Sequence, residues 1–113
     1  MREIKFRAWD KDNKIMLGDI TPSIIPLGVN DLIQGTTLIP MQFTGLKDKN
    51  GVDIYEGDIV KIPMQPKYKS IWIVIFQDGA FCLTDKIGVR CLFKNKYKLE
   101  VIGNIYESPE LLK

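Results

Sequence analysis

The stretch Ser70-Ile71-Trp72-Ile73-Val74-Ile75-Phe76-Gln77-Asp78-Gly79-Ala80-Phe81-Cys82-Leu83-Thr84 decides the fold class. Its first half is β-branched and aromatic, apolar at odd and even positions alike. That composition suits a central strand, or a strand whose outer face meets a partner. Asp78-Gly79 then supplies two residues that tolerate positive φ between apolar runs, the signal of a two-residue hairpin. Pairing across that turn sets Gln77 opposite Ala80 and Phe76 opposite Phe81, an aromatic pair worth about 0.5–1 kcal/mol. A second hairpin is expected from Phe81 to Thr84, turning at Asp85-Lys86-Ile87-Gly88 and returning from Val89 to Phe93. With Thr84 opposite Val89, Cys82 falls opposite Cys91. The plainer account of the two cysteines is small apolar residues packed on one strand face, the sharper one a redox pair, and both thiols are expected to be free in a reducing compartment.

Working upstream, Glu56-Gly57-Asp58 reads as a tight turn into the strand Ile59-Val60-Lys61-Ile62, which Pro63 and Pro66 end. Before it, Met41-Gln42-Phe43-Thr44 has strand character, and Asn50-Gly51 marks a turn within Leu46 to Val52. Downstream, Tyr97 to Tyr106 reads as a strand bulged near Gly103, and Ser108-Pro109-Glu110 starts a helical stub with Ser as cap and Pro in the first turn. Near the start of the chain, Ile4, Phe6 and Ala8 alternate with Lys5, Arg7 and Trp9, the period of a strand with one buried face. Asp10 to Asn13 is the expected turn and Lys14 to Leu17 the returning strand. From Gly18 to Pro40, repeated Pro and Gly predict an irregular excursion, in which Asn30 caps one helical turn over Asp31 to Gln34.

The expected fold is therefore mainly β: a small SH3-like barrel with an N-terminal β-hairpin, an irregular loop excursion and a short C-terminal helical turn. Residues 1–113 are expected to form a single domain, with 1–42 the hairpin and irregular segment and 43–113 the barrel portion.

Composition narrows the function. The chain has 113 residues, 45% hydrophobic and 27% charged, enough apolar material for one core. A net charge of +2 is too small to imply nucleic acid or a membrane surface as partner, so only a local basic patch would do so. Met1 to Lys5 alternates charge with hydrophobe and lacks the apolar run of a signal peptide, and no run suffices to span a bilayer. A cytoplasmic protein is expected. There is no histidine, which removes Ser-His-Asp and Cys-His mechanisms and the commonest metal ligand. No cofactor and no metal are expected.

Three segments together carry a family resemblance: Arg2-Glu3-Ile4-Lys5-Phe6-Arg7-Ala8-Trp9-Asp10, then Gln42 to Gly51 continuing through Ile54-Tyr55-Glu56-Gly57-Asp58-Ile59-Val60, and finally Val101-Ile102-Gly103-Asn104-Ile105-Tyr106-Glu107 with Pro109 to Leu112. In this order they resemble the YopX family of bacteriophage and prophage proteins, along the whole chain. The resemblance implies a phage or prophage origin, expression inside a bacterial host and a β-rich SH3-like architecture. It implies no activity, and there are no family catalytic residues to carry over.

Three candidate sites follow from the residues. The acidic turn Glu56-Gly57-Asp58, with Asp48 and Asp53, offers carboxylates to a divalent cation or to acid–base chemistry of a hydrolase; against that stands turn chemistry, in which Asp48 and Asp58 bond to nearby backbone amides. Lys67-Tyr68-Lys69 and Lys94-Asn95-Lys96-Tyr97-Lys98 interleave cations with aromatic rings, as nucleic-acid-binding barrels do; against that stands an edge strand guarded by lysines. Ile71, Ile73 and Ile75 form the third, an apolar strand face offered to a protein partner or a second copy. The expectation is a non-enzymatic protein that acts by binding, by protein–protein contact or self-assembly as a homo-oligomer first and by nucleic acid second.

Overall fold

The computed structural model describes residues 4–20, 38–62, 71–85, 88–91 and 99–112. Its elements are the strands β1 (Phe6–Asp10), β2 (Ile15–Ile20), β3 (Leu38–Lys47), β4 (Asp53–Tyr55), β5 (Asp58–Lys61), β6 (Ile71–Gln77), β7 (Ala80–Thr84), β8 (Val89–Cys91) and β9 (Glu100–Asn104), followed by a 3-10 turn over Pro109–Leu112. The fold is mainly β, as expected. A four-stranded sheet runs β2-β1-β3-β4 and a five-stranded sheet runs β8-β7-β6-β5-β9, and the strands curl as a half-barrel. All of the pairings are antiparallel. Among the described residues no helix is long and apolar enough to cross a membrane.

The strand that decided the reading lies at the centre of the five-stranded sheet. β6 pairs with β5 on one side and β7 on the other, with Gln77 opposite Ala80 and Phe76 opposite Phe81. Asp78 and Gly79 take φ of 53° and 79°, the positive pair of a type I′ turn. The two phenylalanine rings meet edge to face at 5.0 Å. Trp72 and Val74 point to the core, where they join Ile54, Val60, Ile62, Phe81, Leu83 and Leu99. Ile71, Ile73 and Ile75 alternate onto the opposite face and are only partly buried. β7 and β8 pair as anticipated, with Thr84 opposite Val89 and Cys82 opposite Cys91. A register shift between Val101 and Gly103 puts the bulge beside Gly103, as anticipated.

Three expectations are corrected. The excursion does not begin at Gly18 or last to Pro40, because β2 continues through Ile20 and β3 already starts at Leu38. Pro40 sits inside β3 because no ladder bond is asked of it. The amide of Phe43 donates to Lys5 O at 2.9 Å, which fixes the phase of the β1–β3 ladder. Pro40, opposite Ala8, is then a position whose nitrogen points away from β1, to the side where β4 lies, and β4 pairs with β3 only from Phe43 onward. Second, Ile4 is not part of a buried strand face: it lies before β1 and is 52% exposed. Third, β1 does not leave one side to solvent. Ala8 is buried, yet Arg7 and Trp9 on the other side dock onto the five-stranded sheet. The Asn30 cap lies outside the described residues, as do residues 92–93 of the second hairpin and 97–98 of the last expected strand.

Candidate functional site

Two features stand out once the elements are placed: a polar junction where the sheets meet, and the apolar outer face of the five-stranded sheet.

The junction is built around the turn Glu56-Gly57, which joins β4 of one sheet to β5 of the other. Gly57 takes a φ of +85°, a conformation that calls for glycine, and a Cβ there would sit 3.0 Å from Met41 Sδ, which would have to give by a few tenths of an ångström. Its amide donates to Val74 O at 2.8 Å, and its carbonyl accepts from the Ile105 amide at 2.9 Å. One residue on, the Asp58 carboxylate is 1% exposed. Its Oδ2 accepts from the Tyr55 amide at 2.8 Å, and its Oδ1 accepts from Arg7 Nη2 at 2.7 Å. The same Nη2 donates to Glu56 O at 3.2 Å, and the guanidinium lies 4.7 Å above the Tyr55 ring. Arg7 Nε is buried without a partner. Burial pushes the Asp58 carboxyl above the ordinary carboxylate range, even though Arg7 and the Tyr55 amide pull the other way. Beside this pair, Trp9 stacks on Tyr106 at 5.6 Å and 16°. Asn104, opposite Asp58 in the ladder, accepts from the amides of Tyr106 and Glu107.

The acidic cluster is spent on such contacts. Asp48 accepts from the amides of Asn50, Val52 and, across to β9, Val101, at 2.8 to 2.9 Å. Burial alone would raise its pKa, but the three amides outweigh it and hold the carboxyl below its ordinary value. Asp53 is paired with Lys47 and Lys5, and those two hydrogen bonds likewise hold its pKa down. Glu56 Oε1 accepts from the Gln42 amide at 2.9 Å. The turn-chemistry account of Asp48 and Asp58 therefore stands, with an ion pair added at Asp58 that turn chemistry does not foresee. Among the described residues no three His, Cys, Asp or Glu side chains gather as a metal would require.

The three segments that carried the family resemblance thus converge here: Arg7 and Trp9 from the first, Tyr55 to Asp58 from the second, Asn104 to Tyr106 from the third. A family model described as YopX protein matches residues 5–113. The chain belongs to the YopX family. Among solved structures it is similar to protein EF1440 from Enterococcus faecalis, with 30% identity, a TM-score of 0.71 and full coverage of both chains. It is also similar to protein yopX from Bacillus subtilis, with 21% identity, a TM-score of 0.55, and coverage of 100% of this chain and 98% of that one. No curated protein matches it.

The outer face of the five-stranded sheet is the second feature. Ile71, Ile73 and Ile75 run up its centre, with Thr84 beside Ile73 and Cys82 beside Ile75. Val89, opposite Thr84, is 50% exposed. Ile59, beside Ile73, is fully buried, and the C-terminal 3-10 turn lies over that margin of the face. A Cβ on Gly103, opposite Ile59, would come within 2.7 Å of Ser108 Oγ and 3.0 Å of Leu111. The lower margin carries Lys61 and Glu100, opposite each other. The Lys-Tyr clusters, Lys67-Tyr68-Lys69 and Lys94 to Lys98, lie outside the described residues. Sequence reasoning missed Arg7 as a junction residue, because its partner lies 51 positions away and β1 alone assigns it to the polar side.

Proposed function

We propose that this YopX-family chain is a non-enzymatic phage or prophage accessory protein that acts by binding protein, and that its first partner is a second copy of itself. The observation that carries this is the row Ile71, Ile73 and Ile75, apolar and only partly covered at the centre of a sheet whose other face is the core. The C-terminal turn covers the β5–β9 side and leaves the β6–β7–β8 side, where Val89 is half exposed. The margins suit a two-fold contact: Lys61 and Glu100, the latter 3.9 Å from Lys49 of its own chain, put both charge signs at one border for a second copy to complement. A net charge of +2 adds little repulsion between copies. The engagement of Asp48, Asp53, Glu56 and Asp58 in internal contacts supports binding over carboxylate chemistry.

The test is light scattering over a wide concentration range, on wild type and Ile73→Lys. A dimer that the lysine converts to a folded monomer supports the reading. A wild type that stays monomeric at the highest concentration overturns self-association.

A further inference from the structure

Cys82 and Cys91 occupy directly opposed positions on β7 and β8, and the ladder phase at that position follows from the hydrogen bonds on either side. The Asp85 amide donates to Gly88 O at 3.1 Å, so Asp85 and Gly88 form a hydrogen-bonded pair. Counting back along the antiparallel ladder, Thr84 and Val89 are a non-hydrogen-bonded pair, Leu83 and Arg90 a bonded one, and Cys82 and Cys91 again a non-hydrogen-bonded one. The opposite edge of β7 gives the same answer independently. The two-residue turn at Asp78-Gly79 makes Gln77 and Ala80 a bonded pair, so Ile75 and Cys82 are bonded too. Cys82 therefore directs its backbone amide and carbonyl towards β6, leaving its β8 side free of ladder bonds.

That phase matters because the two strands approach most closely at non-hydrogen-bonded pairs, with Cα atoms about 4.5 Å apart. This lies inside the range of about 4.4–6.8 Å that a disulfide spans. Cys82 is not in a disulfide and is only partly buried, its thiol donating one long bond to Ala80 O at 3.7 Å, so an oxidant can reach it. We infer that Cys82 and Cys91 are a reversible redox modification site, closing to a cross-strand disulfide under a thiol–disulfide oxidant such as glutathione disulfide. The Cys82 thiolate attacks one sulfur of glutathione disulfide, forming a mixed disulfide and expelling one glutathione thiolate. The Cys91 thiolate then attacks the Cys82 sulfur, forming the protein disulfide and expelling the second glutathione thiolate. Two protein thiols are oxidised, two glutathione thiols appear, and the protons released by the cysteines end on them. In a reducing compartment the same exchange runs backwards, so the thiols are free there. The bond ties β8 to β7 on the face that carries Ile75, and the inference holds whatever that face binds.

The experiment is intact-mass measurement and thiol alkylation of the full chain after incubation with excess glutathione disulfide, with and without subsequent dithiothreitol. The expected product is two hydrogens lighter than the reduced protein, monomeric on denaturing gels, and loses both alkylation events, which dithiothreitol restores. Cys82→Ser and Cys91→Ser should each instead gain one glutathione or remain unmodified. A wild type that carries one or two glutathiones, links between chains, or stays fully alkylatable overturns the inference.

Discussion

Replacing Arg7 with Met keeps most of the side chain's volume and removes the only cation that meets the Asp58 carboxylate among the described contacts. Asp58 is then left buried with one amide donor, from Tyr55. Two responses compete. If the carboxylate stays ionised, stranding one member of a buried pair costs about 3–5 kcal/mol. If it takes up a proton instead, the cost is about 1.4 kcal/mol for each pH unit above the ordinary aspartate pKa, or about 4 kcal/mol near pH 7 and about 1.5 kcal/mol near pH 5. The cheaper response governs, so the loss is about 4 kcal/mol at neutral pH and falls steeply on acidification. The lost bond to Glu56 O adds about 1 kcal/mol that does not depend on pH. The sign is that of a carboxyl whose folded-state pKa is raised: the folded form binds more protons than the unfolded one, so stability rises as pH falls from neutral towards the ordinary carboxylate range. Burial already raises Asp58 in the wild type, which shares part of that rise, so the difference between the proteins narrows by somewhat less than the figures above.

Urea unfolding at about pH 7 and about pH 5 measures this. Arg7→Met should be strongly destabilised at the higher pH and recover most of the difference at the lower. The double variant Arg7→Met/Asp58→Asn, which keeps an oxygen for the Tyr55 amide and removes the charge, should be more stable than Arg7→Met at neutral pH and lack the recovery. An equal loss at both pH values, or a double variant no more stable than the single one, refutes the account of Asp58 as a stranded charge.

Asp48→Asn presents an NH2 group to one of the three amides that Asp48 now accepts from, most disruptively that of Val101, and should cost about 2–3 kcal/mol in the same unfolding assay. Because the Asp48 pKa is lowered on folding, its contribution is present above the ordinary carboxylate range and lost as pH falls through and below it, so the gap between Asp48→Asn and wild type should shrink in acid. Gly57→Ala places a Cβ against Met41 at a φ of +85°, and should lower stability by about 1–2 kcal/mol from the backbone alone, while Met41→Ala in the same chain should relieve only the steric part.

What was legible in the sequence was local. Asp78-Gly79 carries its own turn chemistry, so the β6–β7 register followed from counting outward, and the same arithmetic placed Cys82 opposite Cys91. The bulge near Gly103 and the C-terminal turn were legible because Gly, Ser and Pro act within a few residues of themselves. Pro40 misled because its effect depends on which edge its nitrogen faces, and that is set by a pairing with β1 more than thirty residues upstream. Arg7 misled for a related reason. Alternation assigns a residue to one side of a strand, but only the packing of the two sheets decides whether that side meets water. The outer-face isoleucines were legible as one strand face, with its cover left open, because what lies over the neighbouring margin is the C-terminal turn some thirty residues downstream.

The convergence of the family's recognisable segments on the junction bears on how function is to be sought. Arg7 with Asp58, Trp9 with Tyr106, and Gly57 with Ile105 each join an element of one sheet, or the turn between the sheets, to an element of the other. Each contact satisfies a buried polar group or covers a ring, and most of the polar atoms gathered here are engaged within the chain: both Asp58 oxygens, the Gly57 amide and carbonyl, and Glu56 Oε1, with Arg7 Nε left without a partner. These contacts fix how the two sheets meet. The residues that make the family recognisable are thus explained as joinery, and the specificity of this chain is to be sought in what they hold in place: the outer face with Ile71, Ile73, Ile75 and Val89, where side chains are left with surface still to cover.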